Sequence, residues 1–175
     1  MTREQLEHVL RAAAAIASEK SLVVVGSQAV LLPFPNAPAA LLGSREVDLY
    51  PALHPERADL IDGAIGAMSS FDETFGYHAD GVGPETAVMP VDWMQRASLH
   101  YIDDLTAICP EIHDLAVSKA VAARDKDADF VRVLLKERMI DIETLCDRIA
   151  ALDAAQHPVA TVIAWARRRA QEAQA

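Results

Sequence analysis

Leu22-Val23-Val24-Val25-Gly26-Ser27, followed 20 residues after the glycine by Glu46-Val47-Asp48, is the stretch of sequence that decides the fold. The valine-rich run is typical of a short buried strand that ends at the glycine. A second strand is predicted over Glu46 to Tyr50. Side chains two residues apart in a strand point to the same side, so the carboxylates of Glu46 and Asp48 are expected to face one site.

The residue types at these two places favour a site for a metal ion and a nucleotide. Hard cations such as Mg²⁺ bind one or two carboxylates together with substrate phosphates, which makes Glu46 and Asp48 candidate metal ligands. Gly26 and Ser27 lead into a short helix, predicted from about Gln28 to Leu32, whose free backbone N–H groups suit phosphate oxygens. The alternative is that Gly26 only forms a turn, Ser27 only caps the helix, and Asp48 lies on an exposed strand face.

The first part of the chain is predicted to be an α/β core with a sheet of about five strands. Apolar residues at helical spacing predict two helices that cover the sheet, at Thr2–Lys20 and Pro55–Met68. Segments rich in β-forming residues predict three further strands, at Thr86–Val91, Ala97–Ile102 and Thr106–Cys109. Prolines and glycines favour loops, at 33–38 and 71–83.

From Glu111 onward the apolar pattern changes to a helical period. Four helices are predicted, at His113–Arg124, Asp127–Arg138, Asp141–Leu152 and Pro158–Ala173. This change predicts an α/β core over residues 1–110 and a C-terminal helical part, packed on the core, over residues 111–175.

Composition narrows the classes of function. The 175-residue chain has a formal net charge of −10, which argues against a broad nucleic-acid-binding face. The two cysteines, Cys109 and Cys146, have no metal-ligand spacing and fit a reducing compartment. The N-terminus lacks the apolar core of a secretory signal, and no uncharged stretch is long enough for a membrane span. A cytoplasmic protein without membrane contact is therefore expected.

A second group of charged residues lies in the predicted helical part. If Lys119, Ala123 and Lys126 belong to one helix, they fall along one face, with Asp127 about 80° round from Lys119. Lysine is a suitable point charge for a phosphate, so this face is a candidate wall of the site. The alternative is a solvated mixed-charge face, with Asp127 capping the following helix. From these residues alone the alternative is favoured.

A third carboxylate is less easily identified. Asp92 follows the predicted strand Thr86–Val91 and is a candidate, although aspartate after a strand is also ordinary turn chemistry. The histidines at 78, 100 and 113 have no mutual spacing that indicates a catalytic or metal-binding set.

The order of these motifs resembles the nucleotidyltransferase superfamily, in which Gly-Gly or Gly-Ser precedes an acidic-x-acidic strand. The segment 114–129 is similar to a later motif of the abortive-infection type toxin nucleotidyltransferases. More narrowly, much of residues 1–150 resembles a small bacterial family of uncharacterised nucleotidyltransferase-like proteins. The segments that carry this resemblance are Gly26–Val30, Glu46–Pro51, Ala58–Gly63 and His113–Lys119.

The resemblance implies a mixed sheet with flanking helices, a nucleoside triphosphate substrate and Mg²⁺. By position it implies that Glu46 and Asp48 hold the metal, that Gly26 and Ser27 bind phosphates, that Lys119 contacts the triphosphate, and that Asp127 helps to orient the site. The sequence departs from the superfamily at two points. Glu46 stands where the superfamily often has aspartate, and the third carboxylate on a later strand is not clearly present.

The favoured hypothesis is metal-dependent transfer of a nucleoside monophosphate from a nucleoside triphosphate to a hydroxyl acceptor, with release of pyrophosphate. The resemblance implies a transfer RNA end or a protein side chain as acceptor, and the role of toxin with a cognate antitoxin. A hypothesis of another class is a catalytically inactive nucleotidyltransferase-like binding protein that acts through a protein partner. A third interpretation is an antitoxin or regulatory subunit.

Overall fold

The computed structural model describes residues 1–174 and divides the chain into two compact units. The first unit comprises residues 1–86 and 97–110, and the second comprises 87–96 and the residues from 111 onward. The segment 87–96 therefore belongs to the unit that contains the helical tail. The predicted packing of the tail on the core stays a prediction. No helix within residues 1–174 has the length and apolar composition needed to cross a membrane.

The first unit contains a mixed five-stranded sheet with the order β3-β2-β1-β5-β4. Its strands are β1 (Ser21–Val24), β2 (Glu46–Pro51), β3 (His78–Gly81), β4 (Ser98–Ile102) and β5 (Leu105–Cys109). The β1 strand lies antiparallel to β2 and parallel to β5. The β2 and β3 strands are parallel, and the β4 and β5 strands are antiparallel. The predicted α/β class with a mixed sheet and flanking helices is confirmed.

Three helices accompany this sheet: α1 (Arg3–Ala17), α2 (Ala58–Ile65) and α3 (Ser70–Phe75). The α1 helix begins at a capping box, in which the hydroxyl of Thr2 accepts from the backbone N–H of Gln5 while the Gln5 side chain accepts from the N–H of Thr2. Its buried residues recur at helical spacing: Leu6, Val9, Leu10, Ala13 and Ala17. This stripe packs α1 against α2 and the neighbouring strands, as the sequence predicts.

The helix predicted over 55–68 is shorter in the structure. A turn of 3₁₀-helix at Pro55–Arg57 precedes α2, which ends at Ile65 because Gly66 takes an extended conformation. Among the apolar residues of this segment, Ile61 and Ile65 are buried, whereas Leu60 and Met68 are exposed.

Two middle segments also differ from their prediction. The segment 71–83, predicted as loop, contains most of α3 and the whole of β3. The segment Thr86–Val91, predicted as a strand, has no regular strand, and Val91 is 97% exposed. Pairing with a neighbouring strand stabilises a strand. His78–Gly81 pairs with β2 and is therefore a strand, although its residues have low β-propensity.

The second unit contains the four predicted helices of the tail: α4 (Ile112–Ala122), α5 (Asp125–Lys136), α6 (Ile142–Ala150) and α7 (Val159–Gln174). The α4 helix packs against the other three. It ends at Ala122, because the next residue, Ala123, has a left-handed backbone with φ of 52°. Lys119 and Lys126 therefore lie on different helices, and the prediction that they share one helix face is wrong.

Candidate functional site

The site begins at Gly26, two residues after the end of β1. The backbone N–H of Val25 donates to the carbonyl oxygen of Asp48 at 2.9 Å, which holds the end of β1 against β2. A Cβ atom placed on Gly26 would lie 2.9 Å from Cγ of Asp48 and closer still to one carboxylate oxygen. The absence of a side chain at Gly26 thus makes room for the Asp48 carboxylate, and the bend and the acidic strand are in direct contact.

The β2 strand presents its two carboxylates on one face. Burial alternates along β2: Val47 and Leu49 are buried, whereas Glu46 and Asp48 are partly exposed. Side chains alternate across a strand, so Glu46 and Asp48 share the face opposite the buried pair. The prediction that these carboxylates point to the same side is confirmed.

The β3 strand brings a third carboxylate and an imidazole to that face. In the parallel register of β2 and β3, Glu46 lies opposite His78 and Asp48 lies opposite Asp80. One ligand atom from each of Glu46, His78 and Asp80 lies within 4.8 Å of the other two. We call these three residues the β2–β3 cluster. Asp80 adds a third carboxylate on the strand next to Glu46 and Asp48.

His78 is held between two aspartates. Its Nδ1 lies 3.1 Å from Oδ1 of Asp72, and its Nε2 lies 3.4 Å from Oδ1 of Asp80. Asp72, in the first turn of α3, also accepts from the Arg45 guanidinium at 2.9 Å and from the backbone N–H of Met68 at 3.2 Å. These contacts fix the Asp72 carboxylate behind the imidazole.

The electrostatics of the site are dominated by negative charge. Burial raises the pKa of Asp80, and the nearby carboxylates of Glu46, Asp62 and Asp72 raise it further, while His78 opposes them. The hydrogen bond from His78 is the main reason that the pKa of Asp72 lies below its ordinary value. A cation would relieve the repulsion that Asp80 experiences. Two carboxylates and an imidazole within reach of one ion form a suitable donor set for a divalent metal.

The other predicted site residues, Lys119 and Asp127, lie in the second unit and contact each other. Nζ of Lys119 is 3.6 Å from Oδ1 of Asp127, and Arg124 donates to the same carboxylate at 2.6 Å through Nε. Asp127 also accepts from the backbone N–H of Arg124 at the start of α5. The predicted capping interpretation of Asp127 is confirmed. The predicted contacts of Lys119 with the triphosphate and of Asp127 with the site stay predictions.

Asp92 also lies in the second unit and has a different partner. Its carboxylate accepts two hydrogen bonds from the guanidinium of Arg96, at 2.6 and 2.9 Å. Asp80, by contrast, is opposite Asp48 in the sheet register. Asp80 is therefore the carboxylate that a neighbouring strand of the sheet brings beside β2.

Sequence reasoning missed His78, Asp80 and Asp72, although a signal for the first two was present. His78-Ala79-Asp80 repeats the alternation of Glu46-Val47-Asp48, with two polar side chains around a buried apolar one. Glycines on both sides, at 76 and 81, made the segment resemble a loop. Asp72 has no comparable signal, because its role depends on where α3 packs.

A Gly26→Ala substitution is expected to destabilise the first unit by roughly 1–3 kcal/mol and to lower any activity of the site, because the new Cβ would overlap the Asp48 side chain. Far-UV circular dichroism during urea unfolding measures the stability. Gly63→Ala is the matched control, since a Cβ there meets nothing within 4 Å in α2, and it is expected to stabilise by about 0.5–1 kcal/mol. Equal behaviour of the two variants would contradict the close contact of Gly26 with Asp48.

A comparison with family models gives one match for this chain. The model described as "Nucleotidyltransferase of unknown function (DUF6036)" matches residues 4–167. The searches of curated proteins and of solved structures found no match. The matched range contains Gly26, β2, β3 and the helices of the tail as far as the second half of α7.

Proposed function

We propose that the site at β2 and β3 carries out nucleotidyl transfer, on the premise that the chain belongs to this family of nucleotidyltransferases of unknown function. Membership confirms the superfamily that the motifs predict. The observation that carries the proposal is the placement of three carboxylates, Glu46, Asp48 and Asp80, on adjacent strands beside the Gly26 bend. A family match alone does not identify the residues of a site, and this placement supports the choice of these three.

The proposed reaction is a balanced substitution at the α-phosphorus of a nucleoside triphosphate. The oxygen of an acceptor hydroxyl forms a bond to this phosphorus, and the bond from the phosphorus to the oxygen that bridges to the β-phosphate breaks. Pyrophosphate leaves with the electrons of that bond, and the hydroxyl proton passes to water. The product is a nucleoside monophosphate ester of the acceptor.

The proposed role of the chain is to position the reactants and to balance their charge. Glu46, Asp48 and Asp80 would hold a divalent cation, which the resemblance assigns as Mg²⁺. When bound, such an ion neutralises negative charge on the transferring phosphoryl group. Gly26 leaves room for Asp48. Ser27 lies at the start of the 3₁₀-helix Ser27–Leu31. Its hydroxyl is proposed to donate a hydrogen bond to a phosphate oxygen.

Further parts of the proposal rest on the resemblance. Lys119 is proposed to contact the triphosphate and Asp127 to orient the site. The acceptor is proposed to be a hydroxyl of a transfer RNA end or of a protein side chain, in the cytoplasm. The net charge of −10 favours the protein acceptor, because RNA is repelled by an acidic surface. We also propose that the chain acts as the toxin of a toxin–antitoxin pair.

The direct test is transfer of label from nucleoside triphosphates that carry ³²P in the α-phosphate. The purified chain is incubated with each of the four nucleotides, with Mg²⁺ or Mn²⁺, and with transfer RNA or bacterial protein extract. Label is expected on one acceptor class, with release of unlabelled pyrophosphate, and it is expected to disappear with a chelator. The same nucleotides labelled in the γ-phosphate are the control, since that label must leave with pyrophosphate.

Two results would overturn the proposal. Transfer of the γ-label would indicate a kinase reaction, and no transfer with any nucleotide would favour the inactive binding protein. In the second case, a metal-dependent rise in the unfolding temperature with nucleotide would still identify a binding site. A stoichiometric protein partner, without any effect of nucleotide on unfolding, would favour the antitoxin or regulatory subunit.

A further inference from the structure

The imidazole of His78 adds a nitrogen donor to a face that otherwise presents carboxylates. His78 lies opposite Glu46 in the strand register and is only 9% exposed. Its ligand atom lies within 4.8 Å of ligand atoms from Glu46 and Asp80. The three side chains come from two hydrogen-bonded strands, so their spacing is set by the sheet.

The orientation of this imidazole is set by Asp72. Nδ1 lies 3.1 Å from the Asp72 carboxylate, within the range of a hydrogen bond in which Nδ1–H donates. Asp72 is itself held by Arg45 at 2.9 Å and by the N–H of Met68 at 3.2 Å. Metal-binding histidines characteristically donate their second ring N–H to a carboxylate, which fixes the tautomer and leaves the other nitrogen as ligand. If Nδ1 carries the proton, Nε2 has a free lone pair. Nε2 is the ring nitrogen that faces Asp80, at 3.4 Å from its Oδ1.

The competing interpretation is a structural ion pair. In that case His78 is an imidazolium that donates from both nitrogens and joins α3 to β3. The separation of 3.4 Å between Nε2 and Oδ1 of Asp80 is longer than an ordinary N–H···O hydrogen bond, while the contact of Nδ1 with Asp72 is within its range. The two sides of the ring are therefore unequal, as expected when one nitrogen is a donor and the other a ligand.

We infer that His78, positioned by Asp72, is a ligand of the divalent ion and gives this site a preference for Mn²⁺ over Mg²⁺. Oxygen donors suit Mg²⁺ and Mn²⁺ alike, whereas an imidazole nitrogen favours a transition-metal ion. Mn²⁺ combines acceptance of nitrogen with affinity for carboxylate and phosphate oxygens. This inference rests on the proposed function in one respect, that a divalent ion binds at β2 and β3. It replaces Mg²⁺ with Mn²⁺ as the preferred ion.

Binding of metal to the full chain without nucleotide tests the inference. Isothermal titration calorimetry is expected to give a dissociation constant about tenfold or more lower for Mn²⁺ than for Mg²⁺. Electron spin echo spectroscopy of bound Mn²⁺ is expected to detect coupling to an imidazole ¹⁴N nucleus. His78→Asn is expected to remove that coupling and to weaken Mn²⁺ binding by about 10–100-fold. His100→Asn is the control, because His100 lies on β4 at the opposite edge of the sheet.

Asp72 is tested as a positioning residue. Asp72→Asn is expected to weaken Mn²⁺ binding by about 10–100-fold, with partial rescue in Asp72→Glu, which restores a carboxylate acceptor. Circular dichroism checks that each variant is folded. If His78→Asn does not fold, the nitrogen coupling of the wild-type chain decides the question alone.

The outcomes separate this inference from the proposed function. Mn²⁺ bound without nitrogen coupling, or equal affinities for Mn²⁺ and Mg²⁺, would overturn the inference even in a chain that transfers label. Nitrogen-coupled Mn²⁺ in a chain that transfers no label would support the inference and overturn nucleotidyl transfer.

Discussion

Replacing Glu46 and Asp48 together by alanine is expected to lower nucleotidyl transfer by at least about 10³-fold. In the proposed reaction each carboxylate helps to balance charge, and loss of one such electrostatic group typically lowers the rate by about 10²–10³-fold. The double variant leaves the buried Val47 and Leu49 unchanged. Its fold is therefore expected to survive, with a loss of stability within about 1 kcal/mol for each strand position. The measurement is transfer of α-label at saturating metal and nucleotide.

The matched control is the double variant Glu56→Ala/Asp59→Ala. It removes the same two residue types from exposed positions of the first unit, one in the 3₁₀ turn before α2 and one in the first turn of α2. We expect it to keep transfer within about twofold and to change stability by less than about 1 kcal/mol. Transfer by the Glu46→Ala/Asp48→Ala variant within about tenfold of wild type would contradict the assignment.

Asp80→Asn tests the carboxylate that the sequence did not identify. This variant is expected to lower nucleotidyl transfer by about 10²-fold.

Asp114→Ala is expected to destabilise the second unit by about 3–5 kcal/mol, the largest loss of stability we predict for a single substitution. Asp114, in the first turn of α4, is 0% exposed and accepts from Nε and Nη2 of Arg96 at 2.8 and 3.0 Å. Nε of Arg148 lies 3.9 Å from the same carboxylate. The hydrogen bonds to Asp114 are the main reason that the pKa of Arg96 lies above its ordinary value. Removing this carboxylate would leave two guanidinium groups largely buried without their central counter-charge.

Tryptophan fluorescence during urea unfolding measures this effect. Both tryptophans, Trp93 and Trp165, lie in the second unit and report its unfolding. Asp92→Ala is the control, because Asp92 binds the same Arg96 but its side chain is 47% exposed. An exposed ion pair contributes about 0–1 kcal/mol, so its loss should be small. Similar unfolding midpoints for the two variants would show that the burial of Asp114 does not make its ion pair with Arg96 more stabilising than the exposed pair of Asp92 with Arg96.

Local sequence signals predicted the elements whose residues carry a strong period. The apolar stripe and Thr2 cap of α1, the alternation in β2, and the four helices of the tail all follow from spacing along a single segment. The observed helix boundaries differ from the predicted ones where a single residue interrupts the helical spacing of apolar residues. Gly66 ends α2 early, and the left-handed Ala123 separates α4 from α5.

The segments that the sequence misassigned depend on a partner distant in the chain. His78–Gly81 becomes a strand through hydrogen bonds to β2, although histidine, aspartate and glycine favour other conformations locally. Thr86–Val91 has β-forming residues, yet it lies outside the sheet. Local propensity differs by about 1 kcal/mol between residue types, so tertiary pairing readily reverses it.

By itself, the sequence determined that Glu46 and Asp48 lie on one face of a strand and that a glycine bend precedes them, because both features follow from the two-residue repeat of an extended chain and from the small size of glycine. Only the tertiary structure decided that the bend contacts Asp48, that Asp80 stands opposite Asp48, and that Asp72 orients His78. These three relations join residues 6 to 32 positions apart. Strand register and helix packing set such relations, and neither is encoded in the period of any single segment.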